Sequence, residues 1–329
     1  MAKVALVETK PSKTNFKSEF DGAFDFDQFQ LCSDPSIKKV LKRDCDIEID
    51  TQDYDWVILV GSDALKYFTK INSVTEYSGK KVENKFLPVI NPAMLAFKPE
   101  AKKTWEQSKQ SIKEYIEGSK EDVVINESIA FGIQDTEKAN EFIQAAIEAD
   151  SDVVALDSET TGLYPRDGYM LGISLCYNGK CGAYIDTDCF NEETERLLQE
   201  LFDKKAVIFH NAKFDMAFFE YHFGFKFPNF EDTMLLHYLI NENPGHHGLK
   251  ELSLKFTPYG DYEKPMYDWI DQYRKEHGIL KDQFSWDFIP FDVMKTYAAM
   301  DAVCTYLIYQ KFKKIKQNKK LLWVYDNIL

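Results

Sequence analysis

Short apolar runs separated by polar turns recur along this chain, and each run is predicted to be a buried strand. Before residue 121, three strands and one amphipathic helix are predicted at Lys3–Val7, Trp56–Val60, Phe86–Ile90 and Glu100–Ile116. The segment 117–122 is polar and contains glycine, so it is predicted to link two domains. Residues 1–120 are therefore expected to form a smaller α/β domain.

The order of elements in residues 124–329 predicts an α/β domain with a mixed sheet flanked by helices. Thr136 is expected to cap a first helix. Three strands are predicted after it, at Val153–Asp157, Met170–Tyr177 and Ala183–Asp186. The Asn178-Gly179 pair predicts a hairpin between the second and third of these strands. A helix, a strand and further helices follow, ending in a long helix from about Asp292 to Lys316.

The net charge of −14 is distributed unevenly. Residues 1–120 carry equal numbers of acidic and basic side chains, so the excess of acids lies in the second part. A broad basic face for nucleic acid is therefore disfavoured, and any such contact is expected through a narrow site. The chain has no apolar run of membrane-spanning length, no secretory signal and no Cys-x-x-Cys pair among its six cysteines. These features predict a cytoplasmic protein without a membrane partner, a zinc site or a disulfide framework.

Asp157 and Glu159 lie two residues apart at the end of a predicted strand. Residues i and i+2 of a strand point to the same face, and Thr160 begins a stretch that ends the apolar pattern. Both carboxylates are therefore predicted to face an open crevice. The same spacing occurs at Asp46/Glu48 and Asp261/Glu263, where solvated surface side chains are expected.

Two further pairs have a spacing of four residues, which places both members on one helix face. Asn211 and Asp215 open a helix after an apolar run; the alternative is that Asn211 only caps this helix and Asp215 interacts with its positive end. Tyr297 and Asp301 lie in an apolar helical stretch, where an unpaired Asp is costly to bury. The alternative there is a core tyrosine beside a surface aspartate.

Four carboxylates thus occur in order along one domain without a dedicated basic partner: Asp157, Glu159, Asp215 and Asp301. Carboxylate oxygens are ligands that Mg²⁺ or Mn²⁺ prefers. Two such ions beside a phosphodiester promote its hydrolysis. The residues therefore predict a nuclease site that binds two divalent metal ions.

Three motifs resemble those of the 3′→5′ proofreading exonuclease domain of family A DNA polymerases, in the tyrosine variant of the DEDD superfamily. They are DSETTGL (157–163), HNAKFD (210–215) and YAAMD (297–301). The resemblance covers residues from about 124 to 317 and includes Asp232 in its usual place. It implies a ribonuclease H-like fold and the release of nucleoside 5′-monophosphates from DNA 3′ ends.

The resemblance also implies a role for each matching residue. Asp157, Glu159 and Asp301 would bind one ion, and Asp157 would share a second with Asp215, which acts largely through water. Tyr297 would orient the attacking water, since its phenol can donate and accept a hydrogen bond. Four residues would contact the terminal nucleotides: Thr160, Leu163, Asn211 and Phe214.

Residues 55–107 are similar to the C-terminal half of uracil-DNA glycosylases. Asn91-Pro92 stands where active members have His-Pro, and no Gly-x-Asp-Pro-type motif precedes it. An asparagine cannot supply a cationic imidazole to a developing uracil anion. An inactive glycosylase-like domain is therefore expected over residues 1–120, used for packing, for the DNA path or for docking. An ordinary α/β domain is the alternative.

Two other functions are compatible with the same residues. A 3′→5′ RNase of this superfamily would use the same acids, because the choice between DNA and RNA depends on contacts at the 2′ position. A replication scaffold would bind partners without catalysis, although such a chain would be expected to have lost an acid or Tyr297. Mg²⁺ or Mn²⁺ binding would separate the enzymes from the scaffold.

The expected substrates are single-stranded DNA or frayed 3′ ends, and the expected partners are a polymerase domain or replisome proteins. The chain has no palm or fingers motif, which predicts either a truncated polymerase or a stand-alone exonuclease, acting in the host cytoplasm if phage-encoded. The stretch Pro258–Pro290 is rich in charges and tryptophan, and it is expected to be a surface element for docking or for guiding DNA.

Overall fold

The structure is a computed structural model that describes residues 2–37, 39–69, 71–83, 85–119, 125–242, 247–260 and 262–327. Its contacts divide the chain into two units, Met1–Asp122 and Val123–Leu329. The predicted linker at 117–122 lies partly outside the described residues.

The first unit is built on a four-stranded parallel sheet of order β2-β1-β3-β4. Its strands are β1 (Val4–Glu8), β2 (Asp27–Gln30), β3 (Trp56–Val60) and β4 (Phe86–Val89). β1 and β3 are nearly all buried apolar residues, as expected for strands covered on both faces. The three predicted strands are confirmed, whereas β2 was not predicted because its sequence DQFQ is a short polar edge.

The described residues of this unit also form the helices α1 (Phe16–Glu19), α2 (Ser62–Phe68), α3 (Val74–Tyr77) and α4 (Lys102–Ile116). The predicted helix α4 begins two residues later than expected, because Pro99–Ala101 forms a separate 3₁₀ turn. Trp105 of α4 is fully buried, and its indole N–H donates to Glu19 at 3.1 Å.

The second unit is built on a six-stranded mixed sheet of order β10-β9-β6-β7-β8-β5. Its strands are β5 (Ala130–Ile133), β6 (Val153–Thr160), β7 (Met170–Cys176), β8 (Gly182–Asp186), β9 (Ala206–Phe209) and β10 (Phe230–Asp232). β7 is antiparallel to both β6 and β8, and the other pairs are parallel. The predicted mixed sheet is therefore confirmed. The short edge strands β5 and β10 were not predicted.

The predicted hairpin joins β7 to β8. Gly179 has a φ of +68°, a conformation that glycine adopts at little cost. The side-chain oxygen of Asn178 accepts hydrogen bonds from the backbone N–H groups of Lys180 and Cys181, at 2.8 and 3.1 Å. The Asn178 side chain therefore stabilises the turn through these two hydrogen bonds.

Helices cover both faces of this sheet. One face carries α5 (Thr136–Glu148), α6 (Glu192–Lys204) and α7 (Ala212–Phe223). The other face carries α8 (Thr233–Tyr238), α9 (Leu249–Phe256), α10 (Lys264–His277) and α11 (Phe291–Phe312). A last helix, α12 (Lys319–Asn327), follows a 3₁₀ turn. No helix among the described residues is both long and apolar enough to cross a membrane.

Two further predicted helix boundaries were wrong. Asp135, and not Thr136, caps α5, because the Asp135 carboxylate accepts a hydrogen bond from the backbone N–H of Lys138 at 2.9 Å. The final long helix ends at Phe312, and the lysine-rich residues Lys313–Gln317 form a 3₁₀ turn. Cys32, Cys45, Cys176, Cys181, Cys189 and Cys304 are free thiols in the structure.

The backbones of β8 and α11 approach each other closely. A Cβ atom placed on Gly182 would lie 2.5 Å from the carbonyl oxygen of Ala299. Ala298, Ala299 and Ala302 are fully buried at this contact face of α11. Small residues on both sides therefore let α11 lie directly on the sheet.

Alternation along β6 gives its two faces different partners. Val154 and Leu156 belong to the core under α5, α6 and α7, whereas Ala155 belongs to the core under α11. The strand continues to Thr160, three residues beyond the predicted end, with a register shift at Glu159/Thr160. The last residues of β6 therefore keep the alternation and point to both faces.

Candidate active site

Three carboxylates converge where β6 meets α11. Asp157 and Glu159 come from β6, and Asp301 comes from the middle of α11. One oxygen from each side chain can be chosen so that all three lie within 4.8 Å of one another. Such a group of oxygens has the composition and spacing of a divalent-cation site.

Glu159 and Asp301 are buried, and Asp157 is half-buried. Oε1 of Glu159 is inaccessible to solvent and has no hydrogen-bond partner within the described residues. A buried carboxylate oxygen left in this state is costly unless a cation or a proton satisfies it. The donor set and this unsatisfied oxygen therefore fit a bound metal ion.

Asp215 lies on α7, on the other side of β6. Its Oδ1 accepts two hydrogen bonds from Ser158, one from the hydroxyl at 2.6 Å and one from the backbone N–H at 3.0 Å. Ser158 occupies the position between Asp157 and Glu159, so its side chain points to the α7 face. The end of β6 therefore carries Asp157 and Glu159 on the face toward α11 and contacts Asp215 on the face toward α7.

Asp301 receives a hydrogen bond from the hydroxyl of Tyr262, a buried residue just before α10. Burial raises the pKa of Asp301 to about 8, and the Tyr262 hydrogen bond opposes this rise. Burial together with the Asp301 charge also holds the pKa of the Tyr262 phenol well above its usual value. Tyr262 therefore remains a donor at neutral pH.

The other acids also hold protons more tightly than in water. Burial raises the pKa of Asp215 to about 7, against the hydrogen bonds from Ser158. Burial and the charge of Asp215 raise the pKa of Asp157, and burial and the charge of Asp301 raise that of Glu159. Like charges packed this closely need a cation to be ionised together.

Tyr297 precedes Asp301 by one turn of α11 and is half-buried. Its ring lies 6.4 Å from that of Tyr262 and 6.0 Å from that of Trp286, measured between centroids. Burial and the charge of Asp301 raise the pKa of the Tyr297 phenol. The structure thus places a neutral phenol beside the acid cluster, within an aromatic wall.

Asn211 is exposed and has a left-handed backbone conformation, with a φ of +73°. It is the first residue before α7, but its side chain makes no capping hydrogen bond, so the interpretation of Asn211 as a simple cap is wrong. The backbone N–H groups of Asn211 and Ala212 donate instead to the carboxylate of Asp232, at 3.1 and 2.9 Å. This arrangement leaves the Asn211 amide available for other contacts.

Asp232 is buried at the end of β10, and its carboxylate accepts hydrogen bonds from the first residues of two helices. Besides the start of α7, its carboxylate accepts hydrogen bonds from Met234 and Leu235 at the start of α8. The backbone N–H of Asp232 donates to the hydroxyl of Tyr325 in α12 at 2.7 Å. Asp232 therefore fixes where α7 begins, and α7 carries Asp215.

The other residues predicted to contact the terminal nucleotides are Thr160, Leu163 and Phe214, and they differ in burial. Thr160 is half-buried, and its hydroxyl donates to the carbonyl oxygen of Gly162 at 2.9 Å. Leu163 is 77% exposed on the loop after β6. Phe214 is half-buried in the first turn of α7, with its ring centroid 5.1 Å from that of Phe218.

Sequence reasoning missed two residues that hold the acids. Ser158 could have been found from strand alternation, because it must face away from Asp157 and Glu159. Tyr262 gave no local signal. The expectation of solvated side chains at Asp261/Glu263 is wrong for Glu263, which is buried, whereas Asp261 lies outside the described residues. The expectation that Pro258–Pro290 forms a surface element is wrong for Tyr262. Tyr262, Met266, Ile270 and Ile289 are buried in the core beneath α11.

Asn91, the position compared with the glycosylase histidine, follows β4. Its side-chain oxygen accepts a hydrogen bond from the backbone N–H of Ala93 at 2.9 Å and caps the turn Pro92–Ala96. The glycosylase resemblance of residues 1–120 stays a prediction.

The mixed sheet and the carboxylates that converge where β6 meets α11 are compatible with a nuclease, and comparison with known proteins identifies the family. Residues 131–317 match the family model for the 3′-5′ exonuclease of family A DNA polymerases. The chain therefore belongs to this exonuclease family.

The similar proteins include the DNA polymerase of Escherichia phage T5, which is 36% identical over 99% of this chain and 40% of its own length. The DNA polymerase of Bacillus phage SP01 is 26% identical over 86% of this chain and 34% of its own length. The chain thus spans well under half of these curated relatives. Among solved structures, the catalytic core of RRP6 from Trypanosoma brucei has a TM-score of 0.44 and 17% identity, covering 62% of this chain and 52% of that one.

Proposed function

We propose that this chain is a metal-dependent 3′→5′ exodeoxyribonuclease that removes nucleoside 5′-monophosphates from DNA 3′ ends. The observation that carries the proposal is the group of Asp157, Glu159 and Asp301, in which a buried Glu159 oxygen is unsatisfied. Membership of the exonuclease family supports the reaction class.

Asp157, Glu159 and Asp301 would hold one Mg²⁺ or Mn²⁺ ion. Asp157 and Asp215 would hold the second, with Asp215 acting partly through water because its Oδ1 is engaged by Ser158. When bound, two such ions lower the pKa of the attacking water and stabilise the charge on the leaving 3′ oxygen.

The chain's own groups position the substrate. Tyr297 has a neutral phenol beside Asp301, and it orients the water that attacks the phosphorus. Asn211, whose amide is not used in capping, and Thr160 bind the terminal nucleotides. Leu163 packs beside the last base, and Phe214 stacks on a neighbouring one.

DNA is the proposed substrate because the curated relatives that match this chain are DNA polymerases. The proposed role is proofreading, in which a frayed 3′ end reaches the acids as a single strand. The proposed partners are a polymerase domain or other replication proteins, in the cytoplasm of a bacterial host. Residues 1–120 would act as an inactive glycosylase-like unit in DNA passage or docking.

The deciding experiment is digestion of a 5′-labelled single-stranded DNA with Mg²⁺ or Mn²⁺, using wild type, Asp157→Ala and Asp188→Ala. Asp188 is an exposed acid outside the cluster and serves as the matched control. We expect a ladder that shortens from the 3′ end with wild type and Asp188→Ala, and none with Asp157→Ala. A parallel ribonucleotide strand of the same sequence tests substrate choice.

A folded wild-type protein that degrades neither strand would contradict the nuclease proposal. Faster degradation of the ribonucleotide strand would contradict the DNA assignment alone. Circular dichroism of Asp157→Ala completes the test, because loss of one carboxylate from a repelling group leaves the fold intact.

A further inference from the structure

A cleft of about 570 Å³ lies beside the candidate active site, between the loop after β6 and helix α7. This volume falls within the ~300–1,000 Å³ typical of ligand clefts. Tyr164 and Arg166 line it from the loop, and Ala217 and Tyr221 line it from α7. None of these residues was assigned a role above.

Both walls of the cleft continue elements that carry the site. The loop leaves β6 directly after Thr160, and α7 carries Asp215 in its first turn. Phe214, Ala217 and Tyr221 follow one another at the spacing of a single helix face. Phe214 is half-buried, whereas Ala217 and Tyr221 are exposed. A single DNA strand that enters the site over Phe214 could therefore also contact Tyr221, which lies further along the same face of α7.

The backbone of the loop is closed at its base by contacts between Thr161 and Tyr169. The backbone N–H of Thr161 donates to the carbonyl of Tyr169 at 3.0 Å, and the N–H of Tyr169 donates to the Thr161 hydroxyl at 3.0 Å. A Cβ on Gly168 would lie 2.7 Å from the nitrogen of Gly162, so the two backbones touch. A short closed loop of this kind loses little conformational freedom when a ligand binds.

Aromatic surface dominates the cleft. Tyr164 is 67% exposed and Tyr221 is 58% exposed. Grouped exposed aromatic side chains at the edge of a site are typical of binding surfaces. Bases stack on such rings whatever their sequence, because every base has a π face.

Charge in the cleft is close to balanced. Arg166 is exposed and forms no ion pair within the described part of the chain, which leaves its guanidinium free for a phosphate. Glu220 is neutralised by Lys226, and Asp167 offsets part of the Arg166 charge. Stacking is therefore expected to contribute more than phosphate binding.

We propose that this cleft binds the single-stranded DNA upstream of the terminal nucleotides, with bases stacked on Tyr164 and Tyr221 and a phosphate held by Arg166. The inference rests on the proposed exonuclease function and extends it to a length requirement. Substrates that reach the cleft are bound better than a dinucleotide, which ends before it.

The test compares kcat/KM on 5′-labelled oligodeoxythymidylates of two and eight nucleotides. Wild type is expected to prefer the longer one, and Tyr164→Ala/Tyr221→Ala is expected to lower the eight-to-two ratio by about tenfold or more, since one stacked base is worth about 1–3 kcal/mol. Arg166→Gln is expected to lower it less. Tyr238→Ala, an exposed tyrosine of α8 outside the cleft, is the matched control and keeps the wild-type ratio.

A double variant that keeps the wild-type ratio and the wild-type rates would overturn the inference. An equal loss on both substrates would overturn it as well, since it would indicate distortion of the acid cluster. Binding of the eight-nucleotide strand to Asp157→Ala, followed by fluorescence anisotropy, separates the two proposals. If wild type cleaves nothing, the proposed function fails, and the cleft is judged by whether Tyr164→Ala/Tyr221→Ala weakens this binding about tenfold.

Discussion

The hydroxyl and the backbone N–H of Ser158 both donate to Oδ1 of Asp215, at 2.6 and 3.0 Å. Ser158 lies on β6 between two acids that face α11, so this pair connects the two sides of the sheet. Hydrogen bonds to the ionised form of a carboxylate favour that form. The Ser158 contacts therefore keep the pKa of Asp215 lower than burial alone would set it.

Replacing Ser158 with alanine is expected to raise the pKa of Asp215 above about 7. A larger fraction of Asp215 is then protonated in the metal-free protein at pH 7, so activity at limiting Mg²⁺ is expected to fall there. Activity recovers toward the wild-type value at pH 9. The pH–rate profile measures this shift, with Ser108→Ala as the control for loss of a buried, hydrogen-bonded serine. An unchanged acidic limb would show that Ser158 does not tune Asp215.

Tyr262→Phe is expected to weaken metal binding more than catalysis at saturating metal. The phenol orients Asp301 and favours its ionised form. Mutation of a residue that hydrogen-bonds to a metal ligand typically lowers metal affinity or activity by about 10–100-fold. The Mg²⁺ concentration for half-maximal rate should rise about tenfold or more. Tyr309→Phe, on α11 and also buried, should leave it unchanged. Equal Mg²⁺ curves for wild type and Tyr262→Phe would rule out this role.

The metal-free protein is expected to lose stability as pH rises. Asp215 and Asp301 have folded-state pKa values of about 7 and 8, against an ordinary value of 3.8. The folded state therefore binds more protons than the unfolded state between pH 4 and 8, and the free energy of unfolding falls through this window.

Thermal unfolding in EDTA measures this effect. The wild-type melting temperature should be lower at pH 8.5 than at pH 5.5. Asp301→Asn should melt at least ~2 °C above wild type at pH 8.5, since ~1 kcal/mol corresponds to about 2–4 °C in a domain of this size. Asp188→Asn should follow the wild type. A wild-type melting temperature that rises with pH would contradict the sign of the argument.

Asp232→Ala is expected to reduce both stability and activity. It leaves the backbone N–H groups of Asn211 and Ala212 without their acceptor, and each unsatisfied buried donor costs about 1–3 kcal/mol. The displaced start of α7 carries Asp215 with it. Asp135→Ala is the matched control, because loss of the α5 cap costs about 1 kcal/mol and should not change kcat. Wild-type kcat for Asp232→Ala at a temperature where it is folded would refute the positioning role.

The first unit is expected to show no uracil excision from DNA. The only group at the histidine position is the Asn91 amide, which is neutral and already accepts a hydrogen bond from Ala93. The assay uses a uracil-containing duplex with EDTA to silence the nuclease. Uracil release that disappears in Asn91→Ala would reverse this expectation.

The sequence predicted the parts of the site that depend on residue type and local spacing. Asp157 and Glu159 were placed on one strand face because alternation is a local property. Ser158–Asp215 and Tyr262–Asp301 could not be predicted, since these pairs are 57 and 39 residues apart and their contacts depend on packing. The edge strand β10 was missed because three residues, FED, have no periodicity to detect.

The contact between Gly182 and the backbone of Ala299 determines how far α11 stands from the sheet, and thereby how far Asp301 stands from Asp157 and Glu159. The size of the space enclosed by these oxygens is therefore a property of main-chain packing at a residue with no functional group. A side chain at Gly182 is expected to displace α11 and thereby to change that space, while it leaves every acid in the sequence intact. The sequence would then still contain all of the acidic residues, although their spacing would have changed.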